Sequence, residues 1–248
     1  MINIISKTAL IDSSVKIANN IEIKDNVQIG KNTVIANNVV IYENCLIGEN
    51  VRIDDNVVIG KSSLKAANST LNQKECSGVI IGDFSLIGTS AVIYQGSRIG
   101  EKVFIADLAT IRERVSIGDE TIIGRNTSVE NDCKIGKKCK LQTNVYLTAY
   151  SKLSDYVFIA PGVVTSNDNY VGRDRERFKH RKGIIIKRGG RIGANVTVLP
   201  GKVIGEDSLV AAGSIVTKKT PPAKIVMGCP AEVVGDVPEE QLLKNNLS

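Results

Sequence analysis

Residues 17–64 read IANNIE IKDNVQ IGKNTV IANNVV IYENCL IGENVR IDDNVV IGKSSL, eight units of six that each open on isoleucine. Counting backwards, the spacing reaches Ile11 and Ile5. After an interruption at 65–80 it restarts at Ile81 and runs fourteen units to Ile159, with Val129, Leu141, Leu147 and Leu153 as the other aliphatics. A third block carries Ile186, Ile192, Val198, Ile204, Val210 and Val216. Four residues past the aliphatic stands a small or β-branched residue, as at Val15, Thr33, Cys45, Ala91, Thr121, Cys133, Cys139 and Ser208. Two inward positions in six residues describe one short strand plus a turn, and the 3.6-residue helical period is absent. Three such units close a triangular coil of 18 residues, and stacked coils bury every aliphatic in one column, which is the construction of a solenoid.

Composition agrees with that architecture. The 248 residues are 42% apolar and 23% charged, which suits one sizeable domain and excludes disordered and collagen-like chains. Four Phe, six Tyr and no Trp cannot fill a conventional core of this length, so branched aliphatics must. The five cysteines are odd in number and lack CxxC spacing, so free thiols are expected, with Cys45, Cys133 and Cys139 filling small inward positions. His180 is the one histidine, which excludes any site needing two or more His ligands, and no metal is expected. No stretch approaches the roughly 18 apolar residues of a membrane span, and residues 1–14 hold no basic segment leading into an apolar run, so the expected location is the cytoplasm.

The repeat breaks twice. Its phase puts Ile59 and Thr165 on the same face, so the excursions at 65–80 and 165–185 should leave the same edge, five coils apart. The first, KAANSTLNQKECSGVI, reads as a bland surface loop. The second, TSNDNYVGRDRERFKHRKGII, is different in kind. Residues 171–191 hold nine Lys and Arg against Asp174 and Glu176, a local +7 in a chain of net charge +6. Charge gathered in one loop suits a compact polyanion such as a pyrophosphate, and not a nucleic-acid track, which needs a long basic face with interleaved aromatics.

Units such as Ile29-Gly-Lys-Asn-Thr-Val34 and Ile204-Gly-Glu-Asp-Ser-Leu209 resemble the hexapeptide repeat of the left-handed parallel β-helix acyltransferases, over about residues 5–234. That resemblance implies an all-β, left-handed β-helix of about ten coils, spanning residues 1–234 with two loop excursions and a short C-terminal tail at 235–248. It further implies a homotrimer with active sites between neighbouring helices. Residues 141–170 are similar to N-acetyltransferases of nucleotide-linked amino sugars, of the 3-amino sugar type. The similarity places Asn167 and Asp168 at the sugar amine, and Gln142, Asn144, Tyr146, Tyr150 and Arg173 around the substrate. The chain departs from these relatives at Ala149 and Tyr150, where they often carry a glutamate after tyrosine.

Residues 190–234 are similar to the acyl-CoA-binding coils of hexapeptide acetyltransferases. Small residues at Ala194, Ala211, Ala212 and Gly213 would let pantetheine lie close, and Lys187, Arg188, Lys218 and Lys219 would meet CoA phosphates. Lys202 at an inward position and Glu232 in place of a common lysine depart from the pattern. The implied reaction is N-acylation, most simply N-acetylation from acetyl-CoA, of a dTDP- or UDP-linked amino-deoxy sugar in surface glycan biosynthesis, by direct attack in a ternary complex. A flanked sugar amine has a pKa near 8, which makes a strong protein base dispensable. Two alternatives stand beside this reading: an O-acetyltransferase with His180 as general base, and a non-catalytic β-helix scaffold.

Overall fold

The computed structural model describes residues 2–69 and 76–247, and the middle of the first excursion, 70–75, lies outside the described residues. The chain is an all-β parallel solenoid whose short strands form three sheets of 11, 10 and 12 strands, here faces one, two and three. Successive strands visit the faces in turn, so each strand pairs with the one three further along the chain. The register is 18 residues, as in Ile5 with Ile23 on face one and Ile17 with Ile35 on face three. Thirty strands make ten complete coils. An eleventh is begun by Ile215–Val216 and Lys224–Gly228, and Ala231–Asp236 turns back antiparallel on the latter.

Six residues make a strand and a corner because each position has a distinct physical task. The first aliphatic and the small residue four positions on are both buried, as Ile41 and Cys45 or Val129 and Cys133 illustrate. The position before the small residue turns the corner in the left-handed region, with φ between 54° and 61° at Asn20, Asn26, Asn32, Asn38, Asn44, Asn50 and Asn56. Asparagine tolerates that conformation better than most residues, and here it also bonds to its counterpart one coil away: Asn20 Nδ2 donates to Asn38 Oδ1 at 3.0 Å, and Asn38 Nδ2 to Asn56 Oδ1 at 3.1 Å. On the corner between faces two and three, coils approach so closely that a Cβ on Gly82 would lie 2.6 Å from the carbonyl carbon of Gly100.

The column of aliphatics is continuous from Ile21 to Val226, with one exception to the expectation that every unit is buried. Ile5 remains 42% exposed, and Ile11 and Ile17 are only partly covered, because among the described residues no coil packs on the outer side of the first one. At the other end, the segment after the last strand folds back: Val237 is buried, Arg191 Nη1 donates to Gln241 Oε1 at 3.1 Å, and Leu243 N donates to Asp207 Oδ1 at 3.1 Å.

Both excursions leave face one before the chain re-enters face two. Strand Val58–Lys61 precedes the first and strand Val164–Thr165 the second, five strands apart in the same sheet. The pairing register, 18 elsewhere, is 34 across the first (Ile59 with Ile93) and 33 across the second (Thr165 with Val198). Lys202 keeps the register, its carbonyl accepting from Ile185 N at 2.9 Å.

Candidate active site

The two excursions bracket the corner between faces one and two, and a cleft of about 460 Å³ opens there. Its floor is the stacked corner: Arg112 after Ile111, Glu130 and Asn131 after Val129, Thr148 to Tyr150 after Leu147, and Asn167 and Asp168 after Thr165. Its walls are Asn68 and Ser69 from the first excursion and Arg177 and Arg181 from the second. The first loop, bland by composition, thus belongs to the cleft. Polar residues such as Asn and Ser carry no chemical signal until the fold sets them opposite a charged wall.

Charges in the cleft are largely paired. Arg112 donates to Glu113 twice, Nε to Oε2 at 2.9 Å and Nη2 to Oε1 at 3.3 Å, and Glu113 is 1% exposed. The guanidinium also stands 5.0 Å from the centre of the Tyr94 ring. Two residues further on the same corner, Arg114 grips Asp132 of the next coil through Nε to Oδ1 at 2.7 Å and Nη2 to Oδ2 at 2.8 Å, and faces Cys76 at 3.7 Å where the first excursion returns. Asn131 Nδ2 donates to the same Asp132 at 2.7 Å. These side chains pin the corner on which the cleft is built.

Asp168 is committed to its own loop. Oδ1 accepts from Tyr170 N at 2.9 Å, and Oδ2 accepts from Gly172 N at 3.1 Å and from Arg177 Nη1 at 3.0 Å. Desolvation works to raise its pKa, but these donors outweigh it and hold the carboxyl below the usual range. Asn167 contributes its backbone carbonyl to Lys182 N at 3.2 Å, while its half-buried side-chain amide has no hydrogen-bond partner among the described residues. Arg181 is half-buried, with its guanidinium 4.6 Å from the Phe178 ring centre, and among the described residues no carboxylate pairs with it.

The remaining candidates divide by corner. Tyr146 and Tyr150 line the cleft with Asn167 and Asp168. His180 closes a short helix, Arg177–His180, is exposed, and stacks on Tyr170 at 5.9 Å between ring centres; it does not line the cleft. Arg173 is exposed and also outside it. Gln142 and Asn144 lie on the corner between faces three and one, where Asn144 Oδ1 accepts from Asn126 Nδ2 at 2.8 Å. Ala194, Ala211, Ala212 and Gly213 stack on that same corner, with Gly213 N donating to Ala194 O at 2.8 Å and nothing within 4 Å of a Cβ placed on Gly213. The four cationic candidates lie elsewhere: Lys187 and Arg188 on the corner between faces two and three, where Arg188 covers Tyr156, and Lys218 and Lys219 on the corner between faces one and two, where Lys218 Nζ pairs with Glu232 Oε1 at 2.9 Å. The small residues therefore form one strip, and the cations do not join it within a single chain.

Among the described residues no cluster of three His, Cys, Asp or Glu suits a metal ion, and no helix is long and apolar enough to cross a membrane. Arg112, Glu113, Glu130 and Asn131 were not legible as site residues in the sequence. Each occupies an ordinary corner position of the repeat, and only burial beneath the excursions sets them apart.

Comparison with known proteins places the chain. Residues 17–115 match the family model described as the GMPPB C-terminal domain, and residues 114–149 and 183–218 match the hexapeptide repeat of succinyl-transferase. The dTDP-3-amino-3,6-dideoxy-alpha-D-galactopyranose 3-N-acetyltransferase of Aneurinibacillus thermoaerophilus is 43% identical over 53 residues, 21% of this chain and 28% of that one. The galactoside O-acetyltransferase of Escherichia coli K12 is 34% identical over 88 residues, 34% of this chain and 43% of that one. The chain thus matches under half the length of these curated relatives. A hexapeptide-repeat acetyltransferase from Vibrio cholerae, solved with acetyl coenzyme A, superposes with a TM-score of 0.45 at 27% identity, covering 50% of this chain and 71% of that one. The repeat and the parallel solenoid it builds are thus similar, over the matched segments, to those of hexapeptide-repeat acyltransferases.

Proposed function

We infer that the protein is an acyl-CoA-dependent N-acyltransferase that acylates the amine of a nucleotide-activated amino-deoxy sugar. The observation that carries this reading is the cleft between the excursions, lined by both the side-chain amide of Asn167 and the guanidinium of Arg181, neither with a hydrogen-bond or carboxylate partner among the described residues. An amide able to donate and accept orients an amine or its sugar, and a half-buried arginine without a carboxylate calls for an anion such as a phosphate. The likeness to a dTDP-amino sugar N-acetyltransferase supports the same acceptor chemistry.

For the donor, the strip of Ala194, Ala212 and Gly213 offers close backbone approach to an extended pantetheine. That strip lies on a different corner from the cleft, so donor and acceptor meet when a neighbouring chain sets its strip against this cleft. A homotrimer achieves this, and outward apolar side chains on face three, Val34, Leu86, Phe104 and Phe158, favour association. Direct attack in the ternary complex then needs positioning by Asn167, a donor for the developing oxyanion, and loss of the CoA thiolate.

The test is a panel of nucleotide amino sugars, dTDP and UDP, with the amine on different sugar carbons, offered with acetyl-CoA while thiol release is followed. Thiol release with at least one amino sugar, and none with the matching hydroxy sugar, is the expected result. Release with hydroxyl acceptors alone would instead place the protein beside the galactoside O-acetyltransferase, and absence of acetyl-CoA binding would point to a scaffold.

A further inference from the structure

Among the described residues, the cleft holds one carboxylate to which no side chain donates a hydrogen bond. Two carboxylates line it, Asp168 and Glu130. Asp168 has three protein donors, as above. Glu130 accepts no side-chain hydrogen bond among the described residues, and its nearest cation, Arg112 Nη1, is 3.7 Å from Oε2, too far for a hydrogen bond. Arg112 stays at that distance because both of its shorter contacts go to Glu113, which is buried beneath the corner and holds the guanidinium low in the stack. Glu130 is therefore three-quarters buried at the side chain, next to Tyr146 and Thr148, with free lone pairs facing the cleft.

Building on the acyl-transfer reading above, we propose that the Glu130 carboxylate receives the acceptor's amine and takes the proton that this nitrogen sheds as its bond to the acyl carbon forms. Nitrogen's lone pair attacks the thioester carbonyl carbon, the N–C bond forms, and the C–S bond breaks with its electron pair going to sulfur. The ammonium proton passes to Glu130 and from there to the departing thiolate, whose thiol is the weaker acid, so the carboxylate is restored and the products are an amide and CoA. Glu130 stands one coil below Thr148, the residue before Ala149, where the chain lacks the carboxylate that its sequence resemblance would place, and it supplies a carboxylate to the same corner from the neighbouring level.

The electrostatic setting suits a base. Burial pushes the Glu130 carboxyl up, Arg112 opposes this, and Glu113 adds to it. The groups interacting with it are Arg112 and Glu113 from the coil below, Tyr146 from the strand above and the buried Cys133 thiol of its own turn; Asp168, Arg177 and Arg181 line the same cleft from the second excursion, and Asn68 and Ser69 of the first bring no charge. With Arg112 and Glu113 paired, and Asp168 and Arg177 paired, Glu130 and Arg181 are, among the described residues, the two poles left for a ligand that carries both an amine and an anion.

The experiment compares wild type, Glu130→Gln and Glu130→Asp on the amino sugar that the wild type acetylates best, across pH 5 to 9, with melting temperatures recorded for each. Glu130→Gln should lose about 10² to 10⁴-fold in kcat/KM. It should melt at or above the wild-type temperature at neutral pH, since a desolvated charge has been removed, so the loss cannot be ascribed to unfolding. Glu130→Asp should recover part of the activity. In the wild type kcat/KM should fall first with protonation of the substrate amine, a limb that moves with the amine's pKa, and again at lower pH with protonation of the carboxylate; Glu130→Gln should keep the first limb and lack the second. A Glu130→Gln enzyme within threefold of wild type at every pH overturns the proposal while N-acyl transfer stands. A wild type that acylates hydroxyls and no amine overturns both.

Discussion

Asn167 and His180 belong to one excursion, yet only Asn167 enters the cleft; His180 spends its ring on Tyr170 at the protein surface. Removing the Asn167 amide should lower kcat/KM roughly tenfold to a thousandfold, about 1.4 to 4 kcal/mol of transition-state stabilisation. His180→Asn should stay within about threefold of wild type, since no proton-transfer step passes through an imidazole outside the cleft. Steady-state kinetics on the two variants separates the roles, and the reverse pattern would restore histidine as base. The thiols show the same dependence on place. Burial pushes Cys45 and Cys139 up to about 11 and Cys133 up to about 12. Iodoacetamide at pH 8 should therefore label exposed Cys229 while these three stay unmodified until the protein unfolds, which peptide mass spectrometry reads directly.

At the scale of the element, the six-residue unit does its work through one buried aliphatic per strand. Ile111 and Ile117 are inward on adjacent faces of the same coil, at 0% and 3% exposure. Aspartate at either position loses a buried side chain worth about 1.5–3 kcal/mol and adds an unpaired carboxylate to a dry column, a combined cost on the order of 5 kcal/mol or more. Soluble expression and circular dichroism should show that Ile111→Asp and Ile117→Asp fail to fold, whereas Lys16→Ala, on the exposed side of its strand, should melt within about 1 °C of wild type. Equal yields of all three would mean that the repeat is out of register. Corners are more forgiving than strands, because their outward residues touch solvent. The corner between faces one and two is the exception, for there two loops cover Glu113 and Asn131 and turn surface positions into a site.

On the scale of the whole molecule, the cleft and the small-residue strip are on different corners, so a shared site requires a second chain. Light scattering should give three times the chain mass, and dilution that dissociates the trimer should abolish activity. A fully active monomer would remove the interfacial site. Such a trimer would also cover the outward apolar positions of face three.

The period of six, the identity of the inward positions and the departure of both excursions from one edge follow from the sequence alone. Each depends on local spacing, and isoleucine every sixth residue admits one way to bury itself. Tyr146, Tyr150, Asn167 and Asp168 were legible through their resemblance to a known pattern, and the structure brings them into one cleft. What only the tertiary structure decided is which corner residues are active. Glu113, Glu130 and Asn131 fill positions that elsewhere hold solvent-exposed residues such as Glu43. Glu113 and Asn131 become buried and Glu130 mostly covered because loops separated by five coils lie over the same corner, and the approach of segments so distant along the chain leaves no mark in a six-residue repeat.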